Sequence, residues 1–175
     1  MKHLSAMQMN WLKLKYWVPV AVFYCVSASC HTESNTVFTP AQAVTVRDSA
    51  MGLMHSIENN ITHYGPIAWL RYFENTPAFF MASDGAIAFA NNDSATNFIQ
   101  KTLVKNISQI KLQWNDIRID ALTPALAGVA AGFHETLTSS SGKAMAADGY
   151  FTGIAERSPQ GWQLRNLHWS LKASK

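Results

Sequence analysis

Apolar and polar positions change their spacing several times along the chain, and each change marks an element. Val44, Met51, Met54, Ile57 and Ile61 recur at three-, four- and seven-residue intervals, the stripe of a helix buried on one side. Thr39-Pro40-Ala41-Gln42 supplies its start, with Thr39 as N-cap, Pro40 at the first helical position and Gln42 completing a capping box. This predicts a helix from there to about Asn59. Gly65-Pro66 opens a second, short helix carrying Trp69, Leu70, Tyr72 and Phe73. The period then shortens. Ala78 to Ala82 and Ala86 to Ala90 flank Ser83-Asp84-Gly85, and Asp-Gly between two apolar runs predicts a hairpin. A third helix is expected from a cap at Asn92 or Asp93 through Phe98, Ile99, Leu103 and Val104. Four strand-like segments follow, at about 107–121, 125–138, 143–157 and 162–172, separated by Thr123-Pro124, Ser139 to Gly142 and Ser158 to Gly161.

Helix, short helix, hairpin, helix and a long meander imply an α+β domain, with three helices of the N-terminal half gathered on one face of a curved antiparallel sheet. The stretch Gly149-Tyr-Phe-Thr-Gly-Ile-Ala-Glu-Arg157, followed by Gly161-Trp162 and then His168-Trp-Ser170, resembles the last hairpin of SnoaL-like domains. Those domains belong to the nuclear transport factor 2-like, ketosteroid isomerase-like cone folds. The run Trp69-Leu-Arg-Tyr-Phe73, with Asp84-Gly85 after it, falls where that family has its own. The resemblance covers about residues 41 to 172, so the domain is placed at 41–175. It implies a cone-shaped sheet with helices on its concave face and a homodimer formed through the outer face. It leaves function open, because the family includes isomerases, dehydratases and hydrolases as well as members that only bind or dimerise.

Alternation along strands sorts the residues further. Setting Arg157 opposite Trp162 and Thr138 opposite Lys143 places Val129, Ala131, Phe133, Glu135, Asp148, Tyr150, Thr152, Ile154, Arg165, Leu167 and Trp169 on one face. Its large apolar members suit the helix-covered side. Gly128, Ala130, Gly132, His134, Ala147, Gly149, Phe151, Gly153, Asn166, His168 and Ser170 fall on the other face, whose small residues suit packing against a second sheet. An apolar ligand site on the concave side would then be built from Trp69, Tyr72, Phe80, Trp114, Phe133, Asp148, Tyr150 and Trp169, although aromatics at such spacings are also ordinary core. Asp148 with Tyr150 is the candidate acid/base pair, as in steroid-isomerase-like relatives. The competing reading is a solvated Asp148 at the sheet rim near Glu135. His168 is expected on the outer face, and His134 and Glu135, as strand neighbours, point to opposite sides.

Charge and cysteines set the compartment and exclude several classes. A cationic start ending at Lys15 precedes the apolar run Tyr16 to Val26 and the small residues Ser27-Ala28-Ser29 before Cys30, the layout of a signal peptide over residues 1–29. The run is far short of the roughly 20 residues of a membrane-spanning helix. Small residues before a cysteine resemble a bacterial lipoprotein site, which would place a lipid on Cys30 in the periplasm or at the cell surface. Cleavage near Ala28 is the alternative. Residues 30–40 read as a tether.

Removing Lys2, Lys13 and Lys15 with the signal leaves 11 basic residues against 11 acidic ones, so the formal +3 charge carries no basic stripe for nucleic acid. Cys25 would leave with the signal, which excludes a disulfide. No metal motif, phosphate-binding glycine loop or Gly-x-Ser-x-Gly elbow is present, and no cofactor is expected. Arg71, Arg118 and Arg165 would serve an anionic ligand only if they reached the cavity. Three readings stand: a dimeric domain that binds a small apolar ligand or a partner without catalysis, an isomerase- or dehydratase-type enzyme using Asp148 and Tyr150, and a structural lipoprotein whose cone is filled.

Overall fold

Thr39 caps the first helix as its sequence requires: its Oγ1 accepts from the Gln42 amide at 3.2 Å and its own amide donates to Gln42 Oε1 at 2.8 Å. The computed structural model describes residues 37–173, so the expected signal peptide, Cys30 and most of the expected tether lie outside the described residues. Helix α1 spans Pro40–Tyr64, longer than its stripe alone predicts because Ile61 is still fully buried in its last turns. Its buried positions are Val46, Ala50, Leu53, Met54, Ile57 and Ile61. Val44, expected in the stripe, is 49% exposed, because the first turns face Ala127 and Trp162 through Val46 and Ala50 instead. Gly65, at φ +72°, ends α1, and a 3-10 turn Pro66–Arg71 follows.

Strands β1 (Phe80–Ser83) and β2 (Ala86–Phe89) form the hairpin. Asp84 and Gly85 sit at φ +47° and +85°, the two left-handed positions that a two-residue turn between twisted strands demands. Helix α2 (Asn92–Phe98) is capped by Asn91, one residue before the expected cap, and runs into a π-helical stretch, Ile99–Leu103, and a final turn, Val104–Asn106. Four long strands complete the domain: β3 (Ile107–Thr123), β4 (Leu126–Ser139), β5 (Ala144–Ser158) and β6 (Gly161–Leu171).

The six strands make one curved sheet in the order β2-β1-β6-β5-β4-β3, with the helices on one face. The sheet is mixed, not purely antiparallel: β1 runs parallel to β6, pairing Phe80 with Asn166 and Met81 with Leu167. Helix α1 lies chiefly against β3, where Trp114 Nε1 donates to the Met54 carbonyl at 3.0 Å.

Two register features correct the expected faces. Thr138 pairs with Ala144 and not Lys143, a one-residue shift that turns every β5 side chain over relative to β4. A bulge beside Arg165 then turns β6 over relative to β5: Ala155 pairs with Leu164, but Ile154 pairs with Asn166. The two inversions cancel for the upper part of β6, so Leu167 and Trp169 keep the concave side. Strand β5 alone is reversed. Phe151, Gly149 and Gly153 share the concave face with Phe133 and Ala131, while Asp148, Tyr150, Thr152 and Ile154 share the outer face with His134 and Gly132.

Candidate functional site

Beneath the helices, the concave face carries a cluster of four aromatic side chains, one from each of the strands β3 to β6. Phe133 and Trp169 have ring centroids 4.2 Å apart, Trp114 and Phe151 5.3 Å, and Phe151 and Trp169 5.6 Å. Trp69 of the 3-10 turn meets Trp169 edge-on at 5.9 Å and stacks on Phe73 at 5.6 Å. Beside these contacts a cavity of about 200 Å³ remains, with Trp69, Phe73, Phe151 and Trp169 on its wall. Its walls come from four places: Trp69 and Phe73, the hairpin residues Met81 and Phe89, Phe98, Ile99 and Leu103 from α2 and its π-helical continuation, and the strand residues Ile110, Leu137, Phe151, Leu167 and Trp169. The π-helical stretch thus supplies Ile99 and Leu103 to the wall, a common placement for such irregular turns.

Glu135 is the single carboxyl in this lining. Strand β4 places it one alternation beyond Phe133, paired across to Leu112 of β3 and Ala147 of β5, so its side chain faces the apolar interior. Among the described residues no hydrogen bond reaches its carboxylate. Loss of hydration on burial pushes its pKa from 4.5 up to about 7, and the neighbouring His134, across the sheet, pulls the other way. It stands at the edge of an otherwise apolar lining, only partly withdrawn from water.

Of the aromatics expected around a ligand, Trp69 and Trp169 line the cavity. Trp114 and Phe133 are buried in the same aromatic cluster and do not line it. Tyr72 is buried against α1, where its hydroxyl donates to the Ser56 carbonyl at 2.9 Å and accepts from Asn60 Nδ2. Phe80 lies on β1, 38% exposed. Asp148 and Tyr150 stand on the outer face because of the shifted β5 register. Asp148 meets His134 Nδ1 at 2.9 Å, with side-chain exposures of 62% and 44%, and Tyr150 is 43% exposed. The expectation that both face the cavity is therefore corrected. His168 is on the outer face as alternation placed it. Arg165 occupies the β6 bulge, bonded to Glu156 and Asn166, away from the cavity.

Alternation puts Glu135 on the concave face, and the structure separates it from Asp148, which lies on the opposite face, and sets it in the cavity lining. The signal that marks it was present: alternation along Val129-Ala131-Phe133-Glu135 puts a carboxyl at the end of an otherwise apolar row. Phe151 was missed outright, since its face depends on register. Two wider hollows, of about 570 and 530 Å³, are lined largely by polar residues around His134 and around Asp148. Among the described residues no cluster of three His, Cys, Asp or Glu side chains could hold a metal ion.

No protein-family model matches the chain, and no curated protein matches it. Solved structures do. A nuclear transport factor 2-like superfamily protein from Salmonella enterica serovar Typhimurium superposes with a TM-score of 0.63 at 18% identity, covering 75% of this chain and 94% of that one. A hexachlorocyclohexane dehydrochlorinase, LinA-type3, from Novosphingobium barchaimii superposes with a TM-score of 0.60 at 7% identity, covering 77% and 92%. At these identities the likeness is one of fold.

Proposed function

We propose that this chain, whose domain has the nuclear transport factor 2-like cone fold, is an exported receptor that binds a small apolar molecule without transforming it. The observation that carries the reading is the cavity, apolar on every wall except for one carboxyl at Glu135. Sites for small molecules have this composition, a largely apolar chamber with a few polar groups that fix orientation. Dry apolar cavities of about 150 Å³ already take up benzene. The third reading, a filled cone, does not suit a chamber of about 200 Å³.

The cationic, apolar and small-residue segments before Cys30 support export, and Cys30 is proposed as the lipid-bearing residue. Replacing it by serine is expected to move the protein from the membrane to the soluble fraction. Retention of Cys30→Ser in the membrane fraction rejects lipid anchoring there. A homodimer is proposed through the outer face, whose Gly128, Ala130 and Gly132 allow another sheet to approach closely.

Native mass spectrometry of the processed protein tests the receptor reading. A bound species of a few hundred daltons is expected, and Leu103→Trp, which fills the cavity, is expected to lose it. An unliganded protein that also takes up no ring-sized apolar probe rejects the reading.

One observation favours a second reading, an enzyme of isomerase or dehydratase type. A carboxyl whose pKa lies near 7 is matched to moving protons at neutral pH, and it lies inside the cavity. Glu135, and not Asp148 with Tyr150, is the proton carrier in that reading. Glu135→Gln would then abolish turnover of the bound molecule while leaving its binding in place.

A further inference from the structure

We propose that the domain docks on an anionic lipid surface through the end where α1 stops. There Arg71, Lys101, Lys105 and Lys143 accompany the exposed apolar side chains of Tyr64, Ile67 and Val104. The proposal goes beyond the receptor reading and does not depend on what the cavity holds.

These residues are scattered along the sequence and gathered by the fold. Helix α1 gives way to Gly65, where a β-carbon would lie 3.5 Å from the Ser108 carbonyl oxygen at the start of β3. Just before β3, the Asn106 carbonyl accepts from the Ser140 amide at 2.8 Å, and the Lys105 carbonyl accepts from the Ser140 hydroxyl. These bonds join the turn Val104–Asn106 to the β4–β5 turn that carries Lys143. The 3-10 turn Pro66–Arg71 packs beside the π-helical stretch, and Arg71 lies over the Tyr64 ring, 5.3 Å from its centroid.

The stretches that build this end carry charge of one sign, since residues 59–73, 94–115 and 136–147 contain no Asp or Glu. Arg71, Lys101, Lys105 and Lys143 are exposed, and among the described residues none of them forms an ion pair. Tyr64, Ile67 and Val104 remain in water beside them. A bilayer interface suits both kinds of group: its anionic headgroups attract Lys and Arg, and its headgroup and acyl boundary takes up aromatic and aliphatic side chains. A soluble polyanion answers the charge alone. Ile99 and Leu103, on the same run of chain as Lys101 and Val104, face inward to the cavity, so docking sets the cavity one helix away from the lipid.

Flotation with vesicles tests the proposal on residues 31–175, which retain the whole core from Val46 to Leu167 and lack Cys30, so that no attached lipid contributes. Vesicles of phosphatidylcholine mixed equally with phosphatidylglycerol are expected to carry the protein, phosphatidylcholine alone to leave it behind, and added salt to release it. Lys101→Gln combined with Lys105→Gln is expected to weaken binding about thirtyfold, at roughly fivefold for each lysine near an anionic surface. Arg47→Gln combined with Arg157→Gln removes the same charge far from this end, and is expected to change binding less than about twofold because those charges are screened from the surface. Ile67→Ser combined with Val104→Ser keeps the charge and is expected to weaken binding about tenfold. All these positions are exposed, so urea midpoints equal to that of the parent are expected of each variant. Failure of the parent to float with anionic vesicles, or an equal loss in the Arg47 and Arg157 pair, overturns the proposal. Full binding by the serine pair overturns the lipid assignment in favour of a soluble polyanion such as nucleic acid.

Discussion

Gly149→Ala is expected to destabilise the domain by about 3 kcal/mol, at the upper end of what overpacking costs. Gly149 pairs with Phe133 across β4 and β5, and the Phe133 ring lies over the space a side chain would need. A β-carbon there would stand 2.3 Å from Phe133 Cζ and 2.2 Å from the Ser170 carbonyl oxygen. The ring could turn aside only by disturbing its 4.2 Å contact with Trp169, and the backbone oxygen belongs to the β5–β6 ladder. Neither neighbour yields cheaply. Gly52→Ala is the internal control, because nothing lies within 4 Å of a β-carbon at that position in α1. It is expected to stabilise by roughly 0.5–1 kcal/mol, through the better helix propensity of alanine. Urea unfolding of the three proteins measures both. A Gly149→Ala midpoint equal to that of the parent would mean that Phe133 does not cover this site.

The second large effect is a pH dependence. Glu135 has a folded pKa of about 7, raised from 4.5 by burial. Below pH 4.5 the group is neutral in both folded and unfolded chains, and its burial costs no charge. Between 4.5 and 7 the unfolded chain releases the proton while the folded one holds it, so stability falls as pH rises. The loss is complete just above pH 7 and amounts to something on the order of 3 kcal/mol. Glu135→Gln removes this titration. The stability of the variant minus that of the parent should climb between pH 4.5 and 7.5 and then level off, as read from urea midpoints at each pH. A difference that stays flat across that window would show that the carboxyl is hydrated in the folded protein.

His134 ties the two faces of the sheet together. It meets Asp148 on the outside, while its charge opposes the upward shift of Glu135 on the inside. The cavity acid is thus adjacent in sequence to the outer-face His134–Asp148 contact, separated from it by the thickness of one strand.

Local patterns sufficed for much of this protein. The capping box at Thr39, the Asp84-Gly85 turn and the bounds of β3 to β6 to within about two residues all follow from neighbours along the chain, and so does the face of β4, where alternation is uninterrupted. These features depend on interactions spanning a few residues, which the sequence by itself determines.

What only the tertiary structure decided depends on how distant segments meet. Ser139 to Gly142 is legible as a turn, but whether Ala144 or Lys143 lies opposite Thr138 is a matter of turn geometry, and one residue of difference carries Asp148 and Tyr150 out of the cone and Phe151 into it. The bulge at Arg165 is equally silent in the sequence. Parallel pairing of β1 with β6 joins segments more than eighty residues apart, and it brings Met81 and Phe89 to the cavity. Glu135 is visible as a residue. Its partial burial is not, because that arises only when apolar walls from the hairpin, the π-helical stretch and three other strands come together beside it.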